Sequence, residues 1–149
     1  MQILEHQSLF LQNLISYKLH LSKENLPFMI KHILKNVDSL GVKISNKILF
    51  TEHFSHYQNM EILIPVNTEL KQCEQYEQKA VFKLINAVSI RHEGNFSEIE
   101  ATKQKLLDYT MQKSYQTITI PYYSIVRLDA ETLNSCIVDI YIGINYNIL

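Results

Sequence analysis

The chain has 149 residues, of which 46% are hydrophobic and 19% charged, and a formal net charge of -1. That length suits one domain or two small modules sharing a core, and the apolar content excludes a disordered chain. The near-neutral charge, with no block of like charges, leaves little electrostatic steering toward a phosphate backbone.

At the N-terminus, MQILEHQSLF lacks the cationic start and unbroken apolar stretch of a secretion signal. No apolar run in the chain is long enough to span a bilayer, so a cytoplasmic protein is expected. Ser8 to Leu21 is a mixed apolar stretch in which short strand-like pieces are expected. SKENLPFMIKHILKNVDSLG reads as a helix. Ser22 is placed to cap it, Pro27 falls early, Phe28, Ile30, Ile33, Leu34, Val37 and Leu40 approximate helical spacing, and Gly41 stops it. NKILFTEHF and MEILIPV follow as strands, with Pro65 ending the second or marking an edge. The polar stretch Asn67 to Lys79 contains no glycine or proline and reads as an ordered crossing or a charged loop.

VFKLINAVSIRH alternates as a strand, Gly94 breaks it, and Asn95 or Ser97 caps a new helix. In EIEATKQKLLDYTMQKS, Ile99, Leu106, Leu107, Tyr109 and Met111 lie partly on one side, with lysines largely on the other. ITIPYYSIVRL and SCIVDIYIGI supply two more strands. Both halves thus run strand, helix, strand, strand. MEILIPV also aligns with VDIYIGI so that Glu61 and Asp139 correspond, 78 residues apart. An internal duplication follows. The expected layout is a single α+β domain of antiparallel sheet with two helices on one side. Module one covers about residues 1–66, the connection 67–79, and module two about 80–149.

Aspartate is among the residues least favoured in strands, yet Asp139 sits in the middle of one, sharing a face with Tyr141. If Ile62, Ile64, Ile140 and Ile142 meet the helices, then Glu61, Leu63, Asp139 and Tyr141 share the opposite side. Tyr122 and Tyr123 point to opposite faces, so one of them joins that surface. Acids beside rings suit an apolar or cationic organic molecule. The plainer alternative is a solvent-facing sheet carrying ordinary surface carboxylates. No GxGxxG, P-loop or nucleophile elbow is present, and HFSH (His53 to His56) lacks further metal ligands. No cofactor, metal or catalytic residue is therefore assigned. Cys73 and Cys136 are far apart in sequence and read as free thiols.

NAVSIRHEGNFSEIEATKQKLLDYTMQKSYQ, IPYYSIVRLDAE and VDIYIGI together resemble the GyrI-like effector-binding domain. That domain occurs at the C-terminus of many AraC- and MerR-type multidrug-sensing regulators and also as stand-alone proteins. The residues carrying the likeness are Arg91, His92, Gly94, Phe96, Leu106, Tyr109, Pro121, Tyr122, Tyr123, Asp129, Asp139 and Tyr141. In the first half the main match is MEILIPV. The resemblance implies two joined modules that cup an amphipathic, often cationic ligand in a central groove. Asp139 would carry the charge, Tyr141 a stacking wall, and Glu61 the corresponding place in the first repeat. Tyr109 takes a helix position often held by tryptophan in relatives, and Tyr122, Tyr123 and Leu63 complete the implied ligand-binding set. Four departures stand out. Asp139 is shorter than the usual glutamate, Ser124 replaces an acid, Gly143 replaces a proline, and tryptophan is absent throughout.

The expected function is small-molecule sensing or sequestration in transcription regulation or drug response. No direct nucleic-acid or membrane contact is expected, and the partner would be a DNA-binding regulator or gyrase. Two alternatives stay open: a gyrase-type protein inhibitor, and a hydrolase of strained electrophilic natural products. In the hydrolase, Glu61 or Asp139 would activate water and a tyrosine would donate the proton.

Overall fold

A computed structural model of the protein describes residues 2–52, 58–69, 76–129 and 135–145. Its strands and helices are β1 (Ile3–Leu19), α1 (Leu26–Ser39), β2 (Leu49–Glu52), β3 (Met60–Pro65), β4 (Glu77–Gly94), α2 (Ile99–Gln112), β5 (Gln116–Thr117), β6 (Tyr122–Leu128) and β7 (Cys136–Asn145). Among the described residues the pairings of β3 with β1 and β2, and of β7 with β4, β5 and β6, are antiparallel, and the class is α+β. Among the described residues no helix is long and apolar enough to cross a membrane.

The chain divides into two compact units, residues 10–82 and residues 1–9 with 83–149. In the unit of residues 10–82, β3 lies between β1 and β2. Its registers run from Leu14↔Pro65 to Leu19↔Met60 on one side and from Leu49↔Leu63 to Glu52↔Met60 on the other. In the second unit, β7 pairs with β4 from Ala87↔Gly143 to Gly94↔Cys136, and with β6 and the short β5.

The two units repeat one plan. The helix α1 begins at Leu26 and α2 at Ile99, 73 residues on, and each is 14 residues long. Each is preceded by a single 3-10 turn, at Lys23–Asn25 and Phe96–Glu98. Even the unusual backbone angles recur. Asn13 has φ 55° and Asn86 has φ 58°, while Gly41 at 76° and Ser114 at 57° follow the two helices. Left-handed angles disfavour most side chains and suit asparagine and glycine, which accounts for Asn13, Asn86 and Gly41 but not for Ser114. The strand registers repeat as well. Ser16↔Leu63 recurs as Ser89↔Tyr141, Lys18↔Glu61 as Arg91↔Asp139, and Thr51↔Glu61 as Ser124↔Asp139.

Local chemistry accounts for most element ends. Asn95 caps the second turn by accepting the Ser97 N–H at 2.9 Å. Ser22 holds the matching position before α1, but its hydroxyl accepts from the Asn25 side chain rather than from the backbone. Gly94, at φ 120°, takes a backbone conformation open to glycine alone, and the strand ends there. The expected short pieces in Ser8 to Leu21 are one continuous strand beginning at Ile3. Left-handed residues at His6 and Asn13 interrupt its side-chain alternation, so no single period of two runs through the sequence.

Cores differ between the units. All six residues of β3 are buried, including Glu61 and Leu63. In β7, Cys136, Val138, Ile140 and Ile142 are buried, whereas Ile137, Asp139 and Tyr141 keep partial exposure. One face of β7 is therefore open.

Candidate functional site

The open face of the second unit is built by alternation. Ser89, Arg91 and Glu93 project from β4, and Asp139 and Tyr141 from β7. The opposite face carries Val88, Ile90 and His92, all buried. His92 ties that face to α2. Its Nε2 donates to the Asn95 carbonyl at 2.7 Å, which leaves Nδ1 to accept from the Thr102 hydroxyl at 2.6 Å. With α2 on one side, the other side is free to form a surface. Gln2, just before β1, and Leu4 and Gln7 of β1 join the five β4 and β7 residues around an open recess of about 690 Å3.

In the lining of this recess, Arg91 and Asp139 stand directly opposite each other across β4 and β7. Arg91 Nε donates to one carboxylate oxygen at 2.8 Å and Nη2 to the other at 3.0 Å. A two-point fork of this kind fixes both side chains. The Asp139 side chain is 14% exposed and that of Arg91 49%. The hydrogen bond to Asp139, reinforced by its charge, pushes the guanidinium still further above its ordinary range. A mid-strand carboxylate is thus explained by a cation on the neighbouring strand.

Tyr141 is half-buried beside this pair. Burial pushes its phenol above the usual range, the Asp139 charge adds to that, and the group stays protonated. Tyr122 is its cross-strand partner and so lies on the same face, next to Ser124, which pairs with Asp139. Tyr123 points the other way and is 1% exposed, within the core. Asp139, Tyr141 and Tyr122 are therefore brought together.

The remaining expected positions lie elsewhere. Glu61 and Leu63 are on β3 in the unit of residues 10–82, at 2% and 1% exposure. Glu61 accepts from the Ser16 hydroxyl and lies 2.9 Å from Lys79 Nζ. Tyr109 belongs to α2, on the helix side of the second unit. Its hydroxyl donates to Glu5 at 2.9 Å, and Tyr115 donates to the other Glu5 oxygen. These two phenols, Tyr115 first, hold the Glu5 carboxyl below the usual range.

Sequence reasoning names Arg91 only among the residues that carry the resemblance and misses it as a site residue. It also misses Ser89, Glu93, Gln2, Leu4 and Gln7. The overlooked signal was the pair NLISYK and NAVSIR, residues 13–18 and 86–91, which places a base opposite each repeat's acid. Among the described residues no three potential ligands cluster to hold a metal. His53, His56 and Cys73 lie outside the described residues, and Cys136 is a buried free thiol whose acidity burial weakens.

No family model matches the chain, and no curated protein does. Solved structures do. The EcmrR C-terminal domain aligns with a TM-score of 0.73 and 12% identity, over 94% of this chain and 98% of that one. EcmrR in its DNA complex gives 0.75 and 14% over 94% of this chain, which spans 57% of that longer chain. A hydrolase from Listeria innocua gives 0.60 and 8%, over 97% and 91%. SAV2435 bound to tetraphenylphosphonium gives 0.50 and 14%, over 97% and 93%. At these identities the likeness is one of fold. The chain has the GyrI-like effector-binding fold that its second half led us to expect.

Proposed function

We propose that the protein is a small-molecule-binding effector domain whose ligand lies in the recess of the second unit, against Tyr141 and beside Arg91 and Asp139. The observation that carries this reading is the recess itself. An open hollow of about 690 Å3 is lined by one ring, one aliphatic side chain and six polar or charged side chains. It is more polar than most small-ligand sites, so hydrogen bonds and charge would hold much of the ligand. SAV2435, of the same fold, binds tetraphenylphosphonium, and EcmrR of that fold is found on DNA; both facts support a ligand-responsive role in regulation. DNA contact would then be made by a segment or chain other than the residues of this fold.

Asp139 and Tyr141 form the proposed contact set within the recess, and Tyr122, outside its lining, flanks Tyr141 as the cross-strand partner. Glu61, Leu63, Tyr123 and Tyr109 act as structural supports in this reading. Hydrolysis is less well supported, because Asp139 has both oxygens on Arg91 and Glu61 is engaged by Ser16 and Lys79. Neither is poised to activate water.

A thermal-shift panel of amphipathic aromatic compounds, tetraphenylphosphonium among them, tests the reading. At least one compound should raise the melting temperature, and Tyr141→Ala should remove the shift. A flat response of the native protein across the panel would end the proposal.

A further inference from the structure

Resting on that reading, we infer that the recess selects an aromatic ligand bearing oxygen acceptors, a carbonyl or a carboxylate, and that Arg91 sets this preference by occupying Asp139. The fold alone does not impose this choice; this chain's own side chains do.

Hydrogen-bonding capacity decides the matter. A carboxylate is the natural partner of a cationic ligand, but both oxygens of Asp139 are already committed to Arg91 Nε and Nη2. Only 14% of the Asp139 side chain is exposed, against 49% for Arg91. An incoming molecule therefore meets the guanidinium first. Among the described residues, Arg91 Nη1 makes no hydrogen bond and keeps two N–H donors free.

Two further donors stand beside it. Ser89 and Tyr141 are directly opposite each other on β4 and β7, and both line the recess. Neither hydroxyl is bonded to a described residue. Three groups able to donate thus line one hollow, while the Asp139 carboxylate is consumed internally. The lining amides Gln2 and Gln7 are neutral, and Gln7 Nε2 donates to the Glu5 carbonyl at 3.0 Å. Glu93 also lines the recess, but it is exposed and solvated. A ligand lacking acceptors would displace water from these donors and leave them unpaired, which is costly. One with a carbonyl or carboxylate oxygen satisfies them, and its ring can lie against Tyr141.

Three probes sharing one ring system test this: 2-naphthoate, 2-naphthamide and (2-naphthyl)trimethylammonium. Their affinities are measured by calorimetry on the full chain. At least one of the two oxygen-bearing probes should bind the native protein about tenfold more tightly than the ammonium. Arg91→Gln should erase that advantage and improve ammonium binding, because Asp139 is released to face the recess. Tyr141→Phe should weaken the oxygen-bearing probes and leave the ammonium unchanged. If the ammonium binds the native protein best, or if Arg91→Gln leaves the ranking intact, the inference is overturned while the recess remains a ligand site. If no probe binds the native protein, the functional reading fails with it. Circular dichroism checks the folding of Arg91→Gln; should it unfold, the native ranking and Tyr141→Phe decide.

Discussion

Lys79 reaches across to Glu61 with 2.9 Å between ammonium and carboxylate, and the glutamate end of this pair is almost wholly buried. A carboxylate removed from water needs both a countercharge and hydrogen bonds, and Lys79 and Ser16 supply them. Deleting the lysine therefore strands a charge, whereas neutralising the glutamate leaves a lysine that can turn to solvent. Lys79→Met should destabilise the fold by about 3 kcal/mol and Glu61→Gln by about 1 kcal/mol. Urea unfolding of the two variants checks the order, and a larger loss for Glu61→Gln would refute the account.

Glu5 provides a pH dependence. Two phenol donors stabilise its ionised form, so its pKa in the folded protein lies below the ordinary 4.5. A depressed carboxyl pKa contributes stability that is complete above the unfolded value and disappears as pH falls through the folded one. Melting temperature should therefore decline as pH drops below about 4.5, and part of that decline should vanish in Glu5→Gln. Parallel melting curves for native and variant protein across that range would count against the role of Glu5.

At Asn86 the backbone angle is 58°, as it is 55° at Asn13 in the other repeat. A β-branched residue cannot take that conformation without a clash, while glycine takes it freely. Asn86→Val should cost about 1–2 kcal/mol and Asn86→Gly close to nothing, as judged by denaturant midpoints. Equal losses for both would mean that the asparagine side chain, not its backbone, is what the site needs.

Gly143 sits in tight surroundings. Its N–H donates to the Thr119 hydroxyl at 2.9 Å, and an added Cβ would lie 2.8 Å from Thr119 Cγ2 and 2.9 Å from Leu84 Cδ1. Alanine demands small side-chain shifts; proline demands these and also loses the hydrogen bond. Gly143→Ala should cost about 1 kcal/mol and Gly143→Pro about 3 kcal/mol or more. Thermal unfolding of the pair tests the order.

Much of the architecture was legible in the residues. The spacing of Phe28 to Leu40 locates α1, and the alternation in SCIVDIYIGI places Asp139 and Tyr141 on one face of β7. The match of MEILIPV to VDIYIGI shows the duplication. Those signals are local, set by helical and strand periods that a single segment expresses by itself. The single strand from Ile3 to Leu19 was less legible, because left-handed residues disrupt its pattern. Masked by the same local reading was the register that sets Arg91 against Asp139 and lines up Lys18 with Glu61.

The sequence by itself determined the repeat, the helices and which side chains share a strand face, since each follows from neighbours along the chain. Only the tertiary structure decided which charges meet. Residues 48 positions apart become partners through strand pairing, and that pairing turns Asp139 from an exposed acid into the counter-ion of Arg91. A carboxylate's chemistry depends on what lies within a few ångströms of it, and sequence separation carries no such distance.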